Sequence, residues 1–254
     1  MANTTTTAVV LAAGKGTRMK SDLPKVLFPV LGRPMIHWVL DALQKAGISK
    51  TIVVVGYRED LVRSELASRS NVEFALQAEQ LGTGHAVQMC RDQLRSGAER
   101  SVMVVAGDSP LIQSASIQRV SQEFLTGGWD CLLGTLLKPN PQGLGRIVRD
   151  SNNRFARIVE QKDATDAEQK ICEVNMSTYM FDRDALLDAL ENLGNNNAQR
   201  EYYLTDCPAY LLTKGKKVEA KPVLQDCESL SINTIDELGA VESKMRDMGY
   251  PCAS

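Results

Sequence analysis

The stretch that most constrains this chain lies near its start, VVLAAGKGTRMKSDLPK over residues 9–25. An apolar run, Ala8 to Ala13, reads as a buried strand. It breaks into Gly14-Lys15-Gly16-Thr17-Arg18, which packs two glycines and two cations into five residues. Pro24 then presents a further cation, Lys25. A strand that empties into a glycine-rich, cationic loop offers backbone N–H groups and positive charge to a phosphate. The loop is expected to bind a phosphorylated ligand.

Two familiar phosphate loops are excluded. A P-loop needs GxxxxGK followed by Ser or Thr, and Gly14-Lys15-Gly16 has neither that spacing nor the hydroxyl after the lysine. The dinucleotide fingerprint needs a third glycine where this chain has Met19. No acidic residue closes the next strand either, since the β-branched run from Thr51 ends at Gly56-Tyr57.

Downstream, strands and helices alternate. Helical spacing covers Pro34 to Ala46, Glu59 to Ser68, Ala86 to Leu94 and Ile117 to Leu125. Strand patterns cover Thr51 to Gly56, Val72 to Leu76 and Ser101 to Ala106. The second half reads as strands at Asp130 to Lys138, Gly145 to Val148, Arg157 to Glu160 and Glu173 to Phe181. A helix at Leu186 to Leu193, a polar loop at Asn195 to Tyr203 and a helix through Leu212 follow. A short strand at Ser229 to Ile232 and an amphipathic helix from Thr234 to Met248 close the chain. The pattern predicts an α/β fold with a mixed, mostly parallel central sheet flanked by helices. One domain in two lobes is expected, residues 1–112 and 113–254.

Composition narrows the partners. A net charge of −2 supplies no field for nucleic acid or an anionic membrane, and neither is expected to bind. No apolar run approaches a membrane span, and the first residues lack the form of a signal peptide. Six scattered cysteines with no CxxC pair fit reduced thiols in a cytoplasmic protein. His37 and His85 are the two histidines, so a metal site would use oxygen ligands and take Mg²⁺ or Mn²⁺. Both histidines read as structural.

The whole string LAAGKGTRM…LPKVLFPVLGRPMI resembles the signature of the nucleotidyltransferases that join a nucleoside triphosphate to a sugar phosphate. Further along stand QAEQLGTGHA (77–86), GDSPL (107–111), GLGRIVRD (143–150), IVEQKDA (158–164), EVN (173–175) and NNNAQREYYLTD (195–206). These resemble the N-acetylglucosamine-1-phosphate uridylyltransferases, the N-terminal half of bacterial GlmU. The hexapeptide repeats of that protein's β-helix acetyltransferase half do not occur in this sequence.

The resemblance implies a Rossmann-like nucleotidyltransferase fold and a reaction of UTP with N-acetylglucosamine-1-phosphate, aided by Mg²⁺. It implies catalytic roles for Arg18 and Lys25. Leu11, Ala12, Ala13, Gly14, Gln77, Gly82, Thr83, Gly107 and Asp108 are implied to bind the nucleotide. Gly145, Glu160 and Asn175 are implied to bind the sugar, and Asp108 with Asn233 the metal. The residue types suit these tasks: a guanidinium fork and an ammonium for phosphates, an amide for uracil and a carboxylate for adjacent hydroxyls. Thr83 also reads as a helix N-cap, and Asn233 as the cap of the last helix. Ala106, Met176-Ser177 and Arg200 stand where these relatives usually have tyrosine, Thr-Gly or Ser-Gly, and glycine. Two alternatives stay open: transfer that uses a different sugar phosphate such as glucose-1-phosphate, or another nucleotide, and a non-catalytic nucleotide-sugar binder. The oligomeric state is not given by the sequence.

Overall fold

The structure is a computed structural model and describes residues 5–19, 21–232 and 234–252. Its first half runs β1 (Thr6–Leu11), β2 (Pro29–Val30), β3 (Arg33–Pro34), α1 (Met35–Lys45), β4 (Lys50–Val55), α2 (Glu59–Glu65), β5 (Val72–Leu76), α3 (Thr83–Gln88), α4 (Arg91–Ser96), β6 (Ser101–Ala106) and α5 (Ser114–Gly127). The second half runs β7 (Cys131–Leu137), β8 (Gly145–Arg149), β9 (Phe155–Val159), β10 (Glu173–Asp182), α6 (Arg183–Glu191), α7 (Cys207–Thr213), β11 (Val218–Lys221) and α8 (Ile235–Asp247).

The central sheet has the order β11-β7-β10-β6-β1-β4-β5. Strand β1 pairs in parallel with β4 and β6, β4 with β5, and β11 with β7. Only β10 runs against its neighbours β6 and β7 on this path. The antiparallel ribbon β8–β9 hangs from one end of β10. The sheet is therefore mixed and mostly parallel, as the alternation of elements predicts.

The near-continuous apolar runs follow from burial on both faces. Val9, Ile52, Val54, Val102 and Val104 point to one side, packed with residues of α3, α4, α6 and α7. Ala8, Val10, Val53, Met103 and Val105 point to the other, packed with α1, α2 and α5. A third cluster docks α8, through Val241 and Met245, onto Met19, Leu31 and Leu111. It brings the end of the chain back to the loop after β1.

Several boundaries differ from the sequence reading. The helix expected over Ala86 to Leu94 is two short helices that break at Met89-Cys90. The segment Ser229 to Ile232 is not a strand, and the strand sequence reading missed is Val218–Lys221, the sheet edge. Its charged, half-buried Glu219 and Lys221 alternate with buried Val218 and Ala220 and masked the pattern. The ribbon β2–β3 was also missed. Leu31 and Gly32 turn it with φ of +52° and +80°, the left-handed pair such a tight turn requires.

Candidate active site

The ends of β1, β4, β5 and β6 lie side by side, so the loops after them converge. Parallel strands place their carboxyl ends on one edge, where α/β proteins build clefts. The loop after β1 is held at its root by backbone bonds. Ala12 N–H donates to Val54 O (2.9 Å), Tyr57 N–H to Ala13 O (3.0 Å) and Gly107 N–H to Leu11 O (2.9 Å). Beyond the root the pattern changes. Among the described residues, the N–H groups of Ala13, Gly14, Lys15 and Gly16 donate to no other protein group. Such a run of unused N–H groups is available to an anion.

Gly16 and Gly107 explain themselves sterically. Gly16 has φ +67°, and a Cβ there would lie 2.7 Å from Cβ of Lys25. A Cβ on Gly107 would lie 2.8 Å from Leu11 O. The loop is thus pressed against the stem of Lys25. Lys25 Nζ donates to Asp108 Oδ2 at 2.5 Å, across 83 residues of chain. The two side chains are 13% and 29% exposed, so water screens the pair only partly. Arg18 and Asp108 line a cleft of about 390 Å³ together with Asn175 and Ala106. Lys15 instead stacks its ammonium over the Tyr57 ring, 5.0 Å from the centroid.

On the next strand edge, Gln77 is buried directly after β5. Its Nε2 donates to Gly82 O (3.0 Å) and to His85 Nδ1 (3.1 Å). A carboxamide nitrogen has two protons, and both are used. The carbonyl oxygen is what remains of this amide for a ligand. Because Nε2 can only donate, His85 Nδ1 accepts, which fixes the tautomer with the proton on Nε2. His85, which reads from the sequence as structural, holds Gln77 through this bond.

The third group sits on β8, β9 and β10. Gly145 opens β8, Glu160 follows β9, and Asn175 lies inside β10 at a register shift between Asn175 and Thr178. A Cβ on Gly145 would be 3.5 Å from Asn175 Cβ and 3.6 Å from Glu160 Oε1. The three therefore converge around one backbone. Asn175 Nδ2 donates to Tyr179 Oη (2.6 Å), and its Oδ1 accepts from Ser177 N–H (3.2 Å). That leaves the amide one proton and one lone pair for a ligand. Glu160 accepts from Thr205 Oγ1 (3.1 Å). Burial pushes its carboxyl above the ordinary range, the Thr205 bond opposes this, and Asp163 and Asp206 add to the rise.

Comparison with known proteins identifies the family. The MobA-like NTP transferase domain matches residues 8–171. The chain belongs to the MobA-like NTP transferase family. The match runs from β1 through the ribbon β8–β9 and so contains both the loop after β1 and Glu160. Among curated relatives, the bifunctional protein GlmU of Streptococcus agalactiae is 44% identical over 94% of this chain. That of an Exiguobacterium strain is 43% identical over the same share. The chain spans about half the length of these relatives, 51% and 52%. Among solved structures, a putative glucose-1-phosphate thymidylyltransferase from Bacillus anthracis superposes with a TM-score of 0.77. It covers 95% of this chain and 96% of its own at 19% identity, a likeness of fold.

In this MobA-like NTP transferase, two expectations need revision. Thr83 does not cap α3: the helix begins at Thr83, and the Thr83 hydroxyl accepts from Leu204 N–H at 3.1 Å. The last helix is capped by Thr234, whose hydroxyl accepts from Glu237 N–H while the Glu237 carboxylate accepts from Thr234 N–H. Asn233, the expected second metal ligand, lies outside the described residues. Among the described residues no cluster of three or more His, Cys, Asp or Glu side chains forms a metal site. Asp108 is the carboxylate paired with Lys25 in the cleft beside the loop after β1. No described helix is long and apolar enough to cross a membrane.

Proposed function

We propose that the chain transfers a uridylyl group from UTP to N-acetylglucosamine-1-phosphate, giving UDP-N-acetylglucosamine, a cell-wall precursor, and pyrophosphate. The observation that carries this reading is the Lys25–Asp108 pair at 2.5 Å, backed by the open N–H groups of the loop at Ala13 to Gly16. In support, Arg18 and Asp108 share a cleft with Asn175, and Gly145 has both Asn175 and Glu160 beside it.

In the reaction a phosphate oxygen of the sugar phosphate bonds to the α-phosphorus of UTP. The bond from that phosphorus to the bridging oxygen breaks, and pyrophosphate leaves with the electron pair. The protein makes no covalent bond, so its task is to position and to neutralise charge. The loop N–H groups hold the triphosphate. Arg18 takes the leaving pyrophosphate with its planar fork, and Lys25 faces the α-phosphate and the incoming nucleophile. The Gln77 carbonyl accepts from uracil N3–H, a proton that cytosine lacks. Gly82, where a Cβ would lie 2.5 Å from Tyr202 O, keeps the loop close. Glu160 accepts from sugar hydroxyls, Asn175 meets the acetamido group, and Gly145 lets the backbone approach.

One carboxylate and phosphate oxygens suit Mg²⁺, which keeps water and seldom takes an all-protein cage. Asp108 would hold it, with Asn233 as the partner the relatives suggest; when bound it offsets triphosphate charge. The reading places the protein in the cytoplasm, where its six unpaired cysteines stay reduced. In this reading residues 1–112 serve the nucleotide and 113–254 the sugar and the closing helix.

Pyrophosphate release across a panel of nucleoside triphosphates and sugar phosphates tests this. UTP with N-acetylglucosamine-1-phosphate is expected to be fastest. Equal rates with glucose-1-phosphate overturn the sugar assignment, and no release with any pair overturns the transferase.

A further inference from the structure

Motifs far apart in sequence meet in the segment 195–206, and the way they meet has a chemical consequence. The base-side loop is stitched to it by backbone. Gly84 N–H donates to Tyr202 O (2.7 Å), and Tyr202 N–H donates to Leu81 O (2.8 Å). The sugar side is stitched to it as well: Ala198 N–H donates to Asp163 Oδ1 (3.0 Å), and Lys162 Nζ bonds Gln199 Oε1. Two adjacent residues complete the bridge. Leu204 N–H donates to Thr83 Oγ1 (3.1 Å), and Thr205 Oγ1 donates to Glu160 Oε1 (3.1 Å). Leu204 and Thr205 are 2% and 6% exposed, so both bonds are sheltered from water.

We propose that the Leu204–Thr205 step is a positioning element that sets the base loop and the sugar-side carboxylate in one fixed relation, with Thr205 orienting Glu160 for substrate. The inference rests on the transferase reading above and assigns Thr205 no contact with substrate. It follows from what Glu160 faces. Asp163 and Asp206 on one side, the phenols of Tyr179 and Tyr203, and the neighbouring Arg157 on its own strand surround this carboxylate. Arg157 is itself paired with Glu168. The Thr205 hydroxyl is therefore the donor that holds one carboxylate oxygen and leaves the other for the sugar. One dihedral step along the chain, the same backbone holds Thr83. A displacement of either residue is passed to the other binding region through one peptide bond.

The test uses Thr205→Val, which keeps the side-chain shape, and Thr205→Ser, which keeps the hydroxyl. Steady-state kinetics are measured with UTP and N-acetylglucosamine-1-phosphate, and thermal melting checks the fold of each variant. For Thr205→Val the KM for the sugar phosphate is expected to rise roughly tenfold, the loss of one hydrogen bond to a charged group. Its kcat is expected to stay within about threefold, and the acid limb of kcat/KM for the sugar phosphate to move to higher pH, because the bond favours the ionised carboxylate. Thr205→Ser is expected to restore both. Thr83→Val alone is expected to raise the KM for UTP, and the double variant to show less than the product of the single effects. The proposal is overturned if Thr205→Val matches the wild type, if its pH profile is unmoved, or if serine fails to rescue it. It is also overturned if the two single effects multiply independently. A wild type that releases no pyrophosphate with any sugar phosphate overturns the transferase reading itself, a result distinct from any of these.

Discussion

The proposed phosphate side and the proposed sugar side of the site are built on opposite principles. The proposed phosphate side is a loop whose N–H groups at Ala13 to Gly16 donate to no other described protein group, with Arg18 exposed and Lys25 mostly buried against Asp108. The sugar side is buried, and every polar group named there is already bonded to protein: Asn175 to Tyr179 and Ser177, Glu160 to Thr205. A triphosphate brings its own charge, so a loop with fields and donors suffices, and its geometry tightens when the ligand arrives. A sugar brings neutral hydroxyls, which are worth binding only to groups held in place beforehand. Removing charge on the first side should therefore cost rate, and removing a hydrogen bond on the second should cost affinity.

The largest effect is expected from Lys25→Ala, which removes the cation opposite Asp108. Its kcat should fall about 10²- to 10³-fold with little change in thermal stability, by the measure of a lost transition-state donor. Pyrophosphate release under substrate saturation checks this, and a loss confined to KM would erase the contrast. Gly16→Ala comes next. Its Cβ would overlap the stem of Lys25 at 2.7 Å in a backbone with φ +67°. A loss of roughly 1–3 kcal/mol is expected from the conformation and the crowding, read as a lowered melting temperature with reduced kcat.

On the sugar side, Glu160→Gln should raise the KM for the sugar phosphate roughly tenfold and leave the KM for UTP unchanged. Its pH dependence sharpens the comparison. Burial raises the Glu160 carboxyl, so it takes up a proton at a pH above the ordinary carboxylate range. The ionised form is the acceptor for hydroxyls, and kcat/KM should fall as pH drops through that raised value. The glutamine variant should lose this limb. The smallest effect belongs to the loop between the two sides. Arg200 has φ +56°, a conformation glycine adopts without penalty. Arg200→Gly should stabilise the fold by about 0.5–1 kcal/mol, a melting shift of a few degrees at most.

Much of this was legible in the chain because it was local. The loop after β1 lies within one stretch, and its glycines and cations announce their chemistry in sequence. Gly82 and Gly145 were legible only through the motifs that surround them; their reasons, a Tyr202 carbonyl at 2.5 Å and the Ile158 side chain at 3.2 Å from a would-be Cβ, are tertiary. His85 reads as structural, but a lone histidine at a helix start carries no signal of what it bonds. Its partner Gln77 lies eight residues away around a turn. Thr83 was misread as a cap because local rules favour one there, and the backbone of Leu204, 121 residues on, overrode them.

Apolar runs buried on both faces, with helices between, dictated a mostly parallel sheet before any coordinates, since such runs have no other way to hide. Glycine and charge after β1 dictated an anion loop, since open N–H groups and cations need little more than their neighbours. What only the tertiary structure decided is which side chains face one another across long separations. Lys25 meets Asp108, Leu204 meets Thr83, and Thr205 meets Glu160. Hydrogen bonds are short and directional, so a partner many residues away is chosen by the packing of the sheet and not by any pattern in the chain.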